Sequence, residues 1–261
     1  MHDLIQRADT GHVAHLTLND PGRLNALSRA MLKRLHGELC SIASDPAIRV
    51  VILAGAGKAF CAGHDLREIQ AARAEPDGGA VALTALFNLC AQVMLAIIAL
   101  PQPVIAQVHG IATAAGCQLV ATCDLAVAAA EARFGVNGVN IGLFCSTPMV
   151  ALTRNIPRKA AFEMLTTGDF INAARAQTLG LINRVASADL ATETMALAQT
   201  IAAKRTAVLR MGKAAFYAQA ELTVEAAYAY TGAVMLQNLA LPDTAEGIAA
   251  FIEKRTPDWQ D

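Results

Sequence analysis

Two runs of small residues lie where a ligand could meet bare main chain. Ala59-Phe60-Cys61-Ala62-Gly63-His64-Asp65-Leu66 follows the apolar stretch Arg49 to Ala54, and the run from Gly110 through Ala115, Gly116 and Cys117 to Gln118 follows Pro103 to Val108. Residues without bulk at a strand-to-helix junction let a ligand approach the backbone, and amides left free there bind negative charge. Two such loops aimed at one oxygen form an oxyanion hole, which stabilises a carbonyl oxygen as charge builds on it. Alone, each loop is better read as a tight turn packed beneath a neighbouring helix. His64, inside the first loop, is read as a ligand contact in preference to a base. Asn140, Cys145 and Ser146 form a second polar group able to orient a water or a polar acyl group. Cys145 has no histidine near it in sequence and reads as a buried thiol. Asp124 and His109, at strand ends, are expected to make structural hydrogen bonds.

The elements that position these loops alternate between strand and helix. Val13 to Asn19 is β-rich and closes on the turn Asp20-Pro21-Gly22. Leu27, Met31, Leu35, Leu39 and Ile42 recur at helical spacing between Ala26 and Ala43. Arg49 to Ala54, Pro103 to Val108 and Asp124 to Ala130 are strands; Asp65 to Ala74, a segment ending at Pro101, and Ala115 to Thr122 are helices. This repetition predicts an α/β protein with mostly parallel strands. Beyond about Ala188 the period is helical only: Leu190 to Lys204, Ala207 to Ala220, Thr223 to Leu239 and Asp243 to Lys254. The chain is therefore divided into a core, 1–190, and a helical region, 191–261, whose apolar stripes need a partner surface.

Composition narrows the function. With 261 residues, 54% of them hydrophobic, the chain can bury a large core. Its 21 basic and 22 acidic residues give neither a nucleic-acid surface nor a polybasic membrane patch. The longest apolar run, Leu89 to Leu100, is too short to span a bilayer and predicts a buried helix. The six cysteines form no CxxC pair, and Met1 to Asp9 has no apolar stretch, so a cytosolic protein with reduced thiols and no signal peptide is expected. The histidines show no metal-ligand spacing. Gly55-Ala-Gly57 lacks the third glycine of a dinucleotide fingerprint, and Gly57-Lys58-Ala59 lacks the Ser or Thr of a phosphate loop.

The run Asp20-Pro-Gly-Arg-Leu-Asn-Ala-Leu27, then AFCAGHDL, PVIAQVHGIATAAGCQL, CDLAVAA, FGVNGVNIGL and LTTGDFINAARAQTLGLINRV, ending with FIEKRTP, resembles the enoyl-CoA hydratase/isomerase (crotonase) family in order and spacing over nearly the whole chain. It looks like a divergent member, similar to the enoyl-CoA hydratase domain-containing proteins that lack the catalytic glutamates. The resemblance implies a spiral of ββα units and a C-terminal helical region that builds homotrimers, often paired into hexamers. It implies an acyl-CoA ligand whose thioester carbonyl sits between the backbone amides of Ala62 and Ala115. Adenine and pantetheine would lie along Ala62, Gly63, His64, Asp65 and Leu66 and the Arg23-Leu24 turn, with Ala115 and Gly116 also lining the substrate. Lys254 and Arg255 resemble basic residues that meet CoA phosphates, and read equally well as a solvated charge pair on a terminal helix. No separate cofactor is implied; coenzyme A arrives as part of the substrate.

The departures fall on the acid–base pair. The family's two glutamates correspond to Gln118 and Gly138, and no Asp or Glu lies between Glu131 and Glu163. Glutamine exchanges no proton at neutral pH, and glycine has no side chain. Asn140 is retained as a third site candidate. Three readings follow: atypical hydratase or isomerase chemistry on an unsaturated acyl-CoA; decarboxylation of an acyl-CoA carrying a carboxylate, where loss of CO₂ creates the enolate; or a non-catalytic acyl-CoA binding or scaffold protein. The first is placed ahead on the family resemblance. Ala62→Pro is expected to weaken thioester binding, and Gln118→Glu with Gly138→Glu to raise hydratase activity.

Overall fold

A computed structural model describes residues 3–259. The chain divides into two compact units, residues 1–201 and 202–261. The first is built on two sheets. Across the larger run β1 (Ile5–Thr10), β2 (Val13–Leu18), β3 (Val50–Gly55), β4 (Val104–Val108), β6 (Leu125–Ala128) and β9 (Arg184–Val185). The smaller contains β5 (Ile111–Thr113), β7 (Arg133–Gly135) and β8 (Ile171–Asn172). β1 and β2 form an antiparallel hairpin, and every later pairing in the larger sheet is parallel. In β3, Val50 to Ala54 are all buried, as a strand covered on both faces requires.

The repeat is a spiral. β4 lies in the larger sheet and β5 in the smaller, followed by α4 (Ala115–Thr122). β6 and β7 repeat the step, followed by a 3-10 turn (Asn137–Ile141), α5 (Pro148–Asn155) and α6 (Arg158–Thr167). β3 begins a similar turn: Cys61 bridges Ala112 of the smaller sheet before α2 (Leu66–Arg73) and α3 (Ala80–Ala99). Both loops with chemical potential therefore lie where the chain leaves the smaller sheet for a helix.

α1 (Arg29–Ala43) buries Met31, Leu32, Leu35, Leu39 and Ile42, and Ser28 caps it by accepting from Met31 N. α3 is longer than its sequence run indicated, and by length and composition alone could cross a membrane. Its buried residues Leu86, Cys90, Val93, Met94 and Ile97 form one stripe, and it packs on α1, α2 and α4. α7 (Ala173–Leu179) belongs to this unit, and α8 (Leu190–Ala202) ends at its boundary.

β1 is absent from the sequence expectations because it is a charged edge strand. Only Ile5 is buried, while Arg7 pairs with Asp9 at 2.8 Å and Asp45 at 3.0 Å. The strands of the smaller sheet and β9 have two or three residues, too few to show a period of two.

The second unit holds α9 (Thr206–Ala220), α10 (Val224–Leu239) and α11 (Pro242–Glu253), close to the helices expected from periodicity. Arg205 pairs with Asp243 at 2.7 Å and lies over the Trp259 ring. Phe216, Tyr228, Leu236, Phe251 and Ile252 are all exposed.

Candidate functional site

The first loop is held by an asparagine. Asn25 is fully buried with φ 54, a left-handed conformation that asparagine tolerates better than most residues. Its Nδ2 lies within hydrogen-bond reach of the carbonyls of Ala56, Ala59 and Phe60, at 2.8 to 3.1 Å, and its Oδ1 accepts from Asp20 N. The turn also clasps the loop through main chain: Ala62 N–H donates to Leu24 O at 3.0 Å, and Leu27 N–H to Gly63 O at 2.7 Å.

The second loop docks on the first. Cys61 N–H donates to Ile111 O, and Thr113 N–H to Cys61 O. Ala114 then turns with φ 50 and ψ −119, a sparsely populated region for a residue with a side chain, and donates its N–H to Gly135 O. This turn starts α4 at Ala115. Gly63, at φ 88, is packed so closely that a Cβ there would lie 3.0 Å from the Ala114 Cβ and 3.2 Å from Ala115 N. At Gly116 a Cβ would collide with the Cys61 carbonyl. Glycine at these two positions permits the loops to touch.

The free donors differ from the sequence expectation in one member. Ala62 N–H is spent on Leu24 O, so Ala62 does not supply an unpaired amide. Gly63 N–H points at its neighbour's sulfur, Cys61 Sγ, at 3.5 Å. The N–H groups of His64 and Ala115 have no acceptor among the described residues. Ala115 is left free because it is the first residue of a helix, whose opening amides have no carbonyl behind them. Ala62 is carried over by position from the family resemblance, and position alone does not reveal that Leu24 O takes its amide.

His64 is partly buried. Its Nδ1 lies 3.2 Å from Leu27 O, its ring meets Phe87 of α3 edge-on at 5.5 Å, and Nε2 is buried without a partner. Burial lowers its pKa, with smaller opposing effects from the Leu27 carbonyl and Glu68. Asp65 accepts from Arg67 N and Glu68 N, capping α2, and pairs with Arg23 Nη1 at 3.3 Å. Leu66 is exposed; Arg23, Ser28, Ala30, Asp65, Arg67 and Glu68 line a surface cleft.

Gln118 lies one turn beyond Ala115, 7% exposed, with Oε1 buried and unpartnered. Gly138 is buried in the 3-10 turn, where a Cβ would collide with the Leu143 carbonyl and lie 2.9 Å from Cys145 Sγ. Asn140 is exposed and reaches Gly168 O with Nδ2 at 3.4 Å, tying the turn to the end of α6. A polar pair not anticipated from sequence stands between the two regions: Thr113 Oγ1 donates to Asn137 Oδ1 at 2.6 Å.

Five of the six thiols are buried, while Cys40 is exposed. Burial pushes Cys61 and Cys117 up to about 12 and Cys90 to about 11, and raises Cys145 as well. Asp124 Oδ2 accepts from Val104 N at 2.6 Å and His109 Nε2 lies 2.8 Å from Gly57 O, both main-chain partners. Lys254 closes α11 with φ 55, while Arg255 pairs with Glu246 and Glu253. Among the described residues no group of three or more His, Cys, Asp and Glu could hold a metal ion.

The sequence profile described as enoyl-CoA hydratase/isomerase matches residues 8–261. Human enoyl-CoA hydratase domain-containing protein 3, mitochondrial, is 45% identical over 248 residues, covering 95% of this chain and 80% of the relative. The 2,3-dehydroadipyl-CoA hydratase of Escherichia coli is 35% identical over 247 residues, covering 94% of each. Among solved structures, an enoyl-CoA hydratase of Mycobacterium smegmatis superposes with a TM-score of 0.94 at 54% identity, covering 99% of both chains. The cytosolic assignment is corrected here: relatives from zebrafish, mouse and human at 44–45% identity carry mitochondrial names. Buried thiols report the surroundings of each sulfur, not the compartment.

Proposed function

The chain belongs to the enoyl-CoA hydratase/isomerase family, and from that premise we propose that it binds an acyl-CoA thioester with the carbonyl oxygen between the amides of His64 and Ala115. One observation carries the reading: the two loops bring a pair of unpaired N–H groups together, with Gly63 packed against Ala115 N. Donors fixed before the ligand arrives need no reorganisation as charge develops on the oxygen, so an enolate of the thioester is the species this geometry favours. His64 thereby takes the place expected for Ala62. The nucleotide end is assigned to the cleft rimmed by Arg23 and Arg67, whose guanidinium groups match phosphate oxygens. Gly63, Asp65, Leu66 and Gly116 shape the path, Asp65 by capping α2 and Gly116 by close packing. Coenzyme A enters as substrate, and no separate cofactor is invoked.

Hydration of an enoyl-CoA, the reaction for which several relatives are named, is the reading we put first among reactions of this type. In this chain Gln118 and Gly138 leave that reaction without a carboxylate pair, so hydration is slow and chemistry runs through the polarised thioester. The second unit assembles the chain into homotrimers or a pair of trimers through its exposed apolar helices.

Calorimetry with butyryl-CoA and with the S-butyl thioether of CoA, which lacks the carbonyl oxygen, tests the hole. Two hydrogen bonds at about 0.5–1.5 kcal/mol each predict that the thioester binds about 5–150-fold more tightly. Equal affinity for the two ligands removes the hole from the account; binding of neither removes the acyl-CoA reading itself.

A further inference from the structure

We propose that Nε2 of His64 is a proton acceptor in this site, taking the α-proton of a thioester whose carbonyl lies in the hole; the inference rests on the acyl-CoA reading above. Leu27 O can only accept, so the Nδ1 atom 3.2 Å from it carries the ring's hydrogen, and in the neutral ring Nε2 presents a bare lone pair. That lone pair is buried and no described residue donates to it. A charged imidazole would bury an unpaired N–H there, which is costly, so the neutral ring is the resting form. A buried polar group without a partner is rare and calls for an explanation, of which a ligand is one.

Position and elimination supply the rest. The imidazole belongs to the residue whose main-chain N–H is one of the two free donors, and the preceding Gly63 is packed against Ala115 N. It also rests against Phe87 of α3, a helix that packs on α4. The other groups able to take a proton nearby are committed or inert. Asp65 caps α2 and pairs with Arg23, and Glu68 accepts from Arg29 N at 2.9 Å and pairs with its guanidinium at 3.2 Å. Burial holds the Cys61 and Cys117 thiols protonated, and Gln118 has no proton to exchange. His64 is the base that remains.

In the step assigned to it, the bond from the α-carbon to hydrogen breaks and an N–H bond forms on Nε2. The released electron pair moves into the thioester, whose oxygen becomes the enolate oxygen between the His64 and Ala115 amides. The Leu27 carbonyl, accepting from Nδ1–H, favours the imidazolium that results. Return of a proton from Nε2 to the α-carbon restores the thioester, and exchange of that proton with solvent labels it.

The test is deuterium uptake at the α-carbon of butyryl-CoA in D₂O, read by mass spectrometry beside calorimetric affinities for the same ligand. The wild-type chain is expected to exchange the α-protons faster than a heat-denatured control. His64→Gln, and His64→Asn as a second replacement, are expected to lose about 10²–10⁴-fold of that rate while still binding butyryl-CoA. Undiminished exchange in a folded, binding-competent His64→Gln chain overturns the assignment. Wild-type chain that binds butyryl-CoA without exchanging it also overturns the assignment and leaves the acyl-CoA reading standing, whereas failure to bind any acyl-CoA overturns both.

Discussion

At Gly138 the absence of a side chain is enforced by the surroundings. The Leu143 carbonyl lies where a Cβ would go, and the Cys145 thiol stands 2.9 Å from the same point. The gain of activity expected for Gln118→Glu with Gly138→Glu therefore does not follow, because Glu at this position has to move the 3-10 turn before it can act. Inserting a larger side chain into a filled site costs about 1–3 kcal/mol. Gly138→Glu is expected to lower the urea midpoint by that equivalent, without a gain in hydration of crotonyl-CoA; an unchanged midpoint would show that the turn yields. Ala62→Pro likewise breaks the bond to Leu24 O and loosens the loop, leaving the unpaired donors in place. At this scale residue types were legible in sequence: the small loops, Gln118, Gly138 and His64 all stood out. Main-chain partners were not, since the use of Ala62 N–H is decided by Leu24, far from it in sequence. The buried Asn25, which holds three carbonyls of the loop, was visible only as one letter of a longer run.

Long elements declared themselves through periodicity. α1 and the three helices of the second unit fall within a few residues of the expected ranges, because each repeats apolar residues over several turns. The smaller sheet left no such signal, although it aligns the two loops: Cys61 and Ala112 are bridged across it, and Ala114 donates to Gly135 O. In the second unit the apolar stripes meet the prediction of helices yet leave Phe216, Tyr228, Leu236 and Phe251 exposed. Surfaces of this kind suit the contact with other copies of the chain proposed above. Light scattering is expected to give the mass of a trimer or hexamer, and Phe251→Asp with Leu236→Asp to shift it toward the monomer. A monomer for the unaltered chain at micromolar concentration contradicts this assembly.

For the molecule as a whole, membership of the family and the carboxylate-free site proposed for this chain pull in opposite directions. The fold keeps the spiral, the docked loops and, among the described residues, the two unpaired amides of His64 and Ala115, to which the proposed function gives the binding and polarisation of a thioester. Hydration requires in addition a group that activates water and one that protonates the α-carbon. Gln118 and Gly138 supply neither, and a single neutral histidine cannot fill both roles at once. The most direct measurement is the rate of crotonyl-CoA hydration by the wild-type chain beside a hydratase that carries both glutamates, under identical conditions. Each missing acid–base group costs about 10²–10⁴-fold, so a rate at least 10²-fold below the reference is predicted. A rate within about tenfold of it would contradict the account, since the site would then possess an acid–base pair that this geometry does not contain.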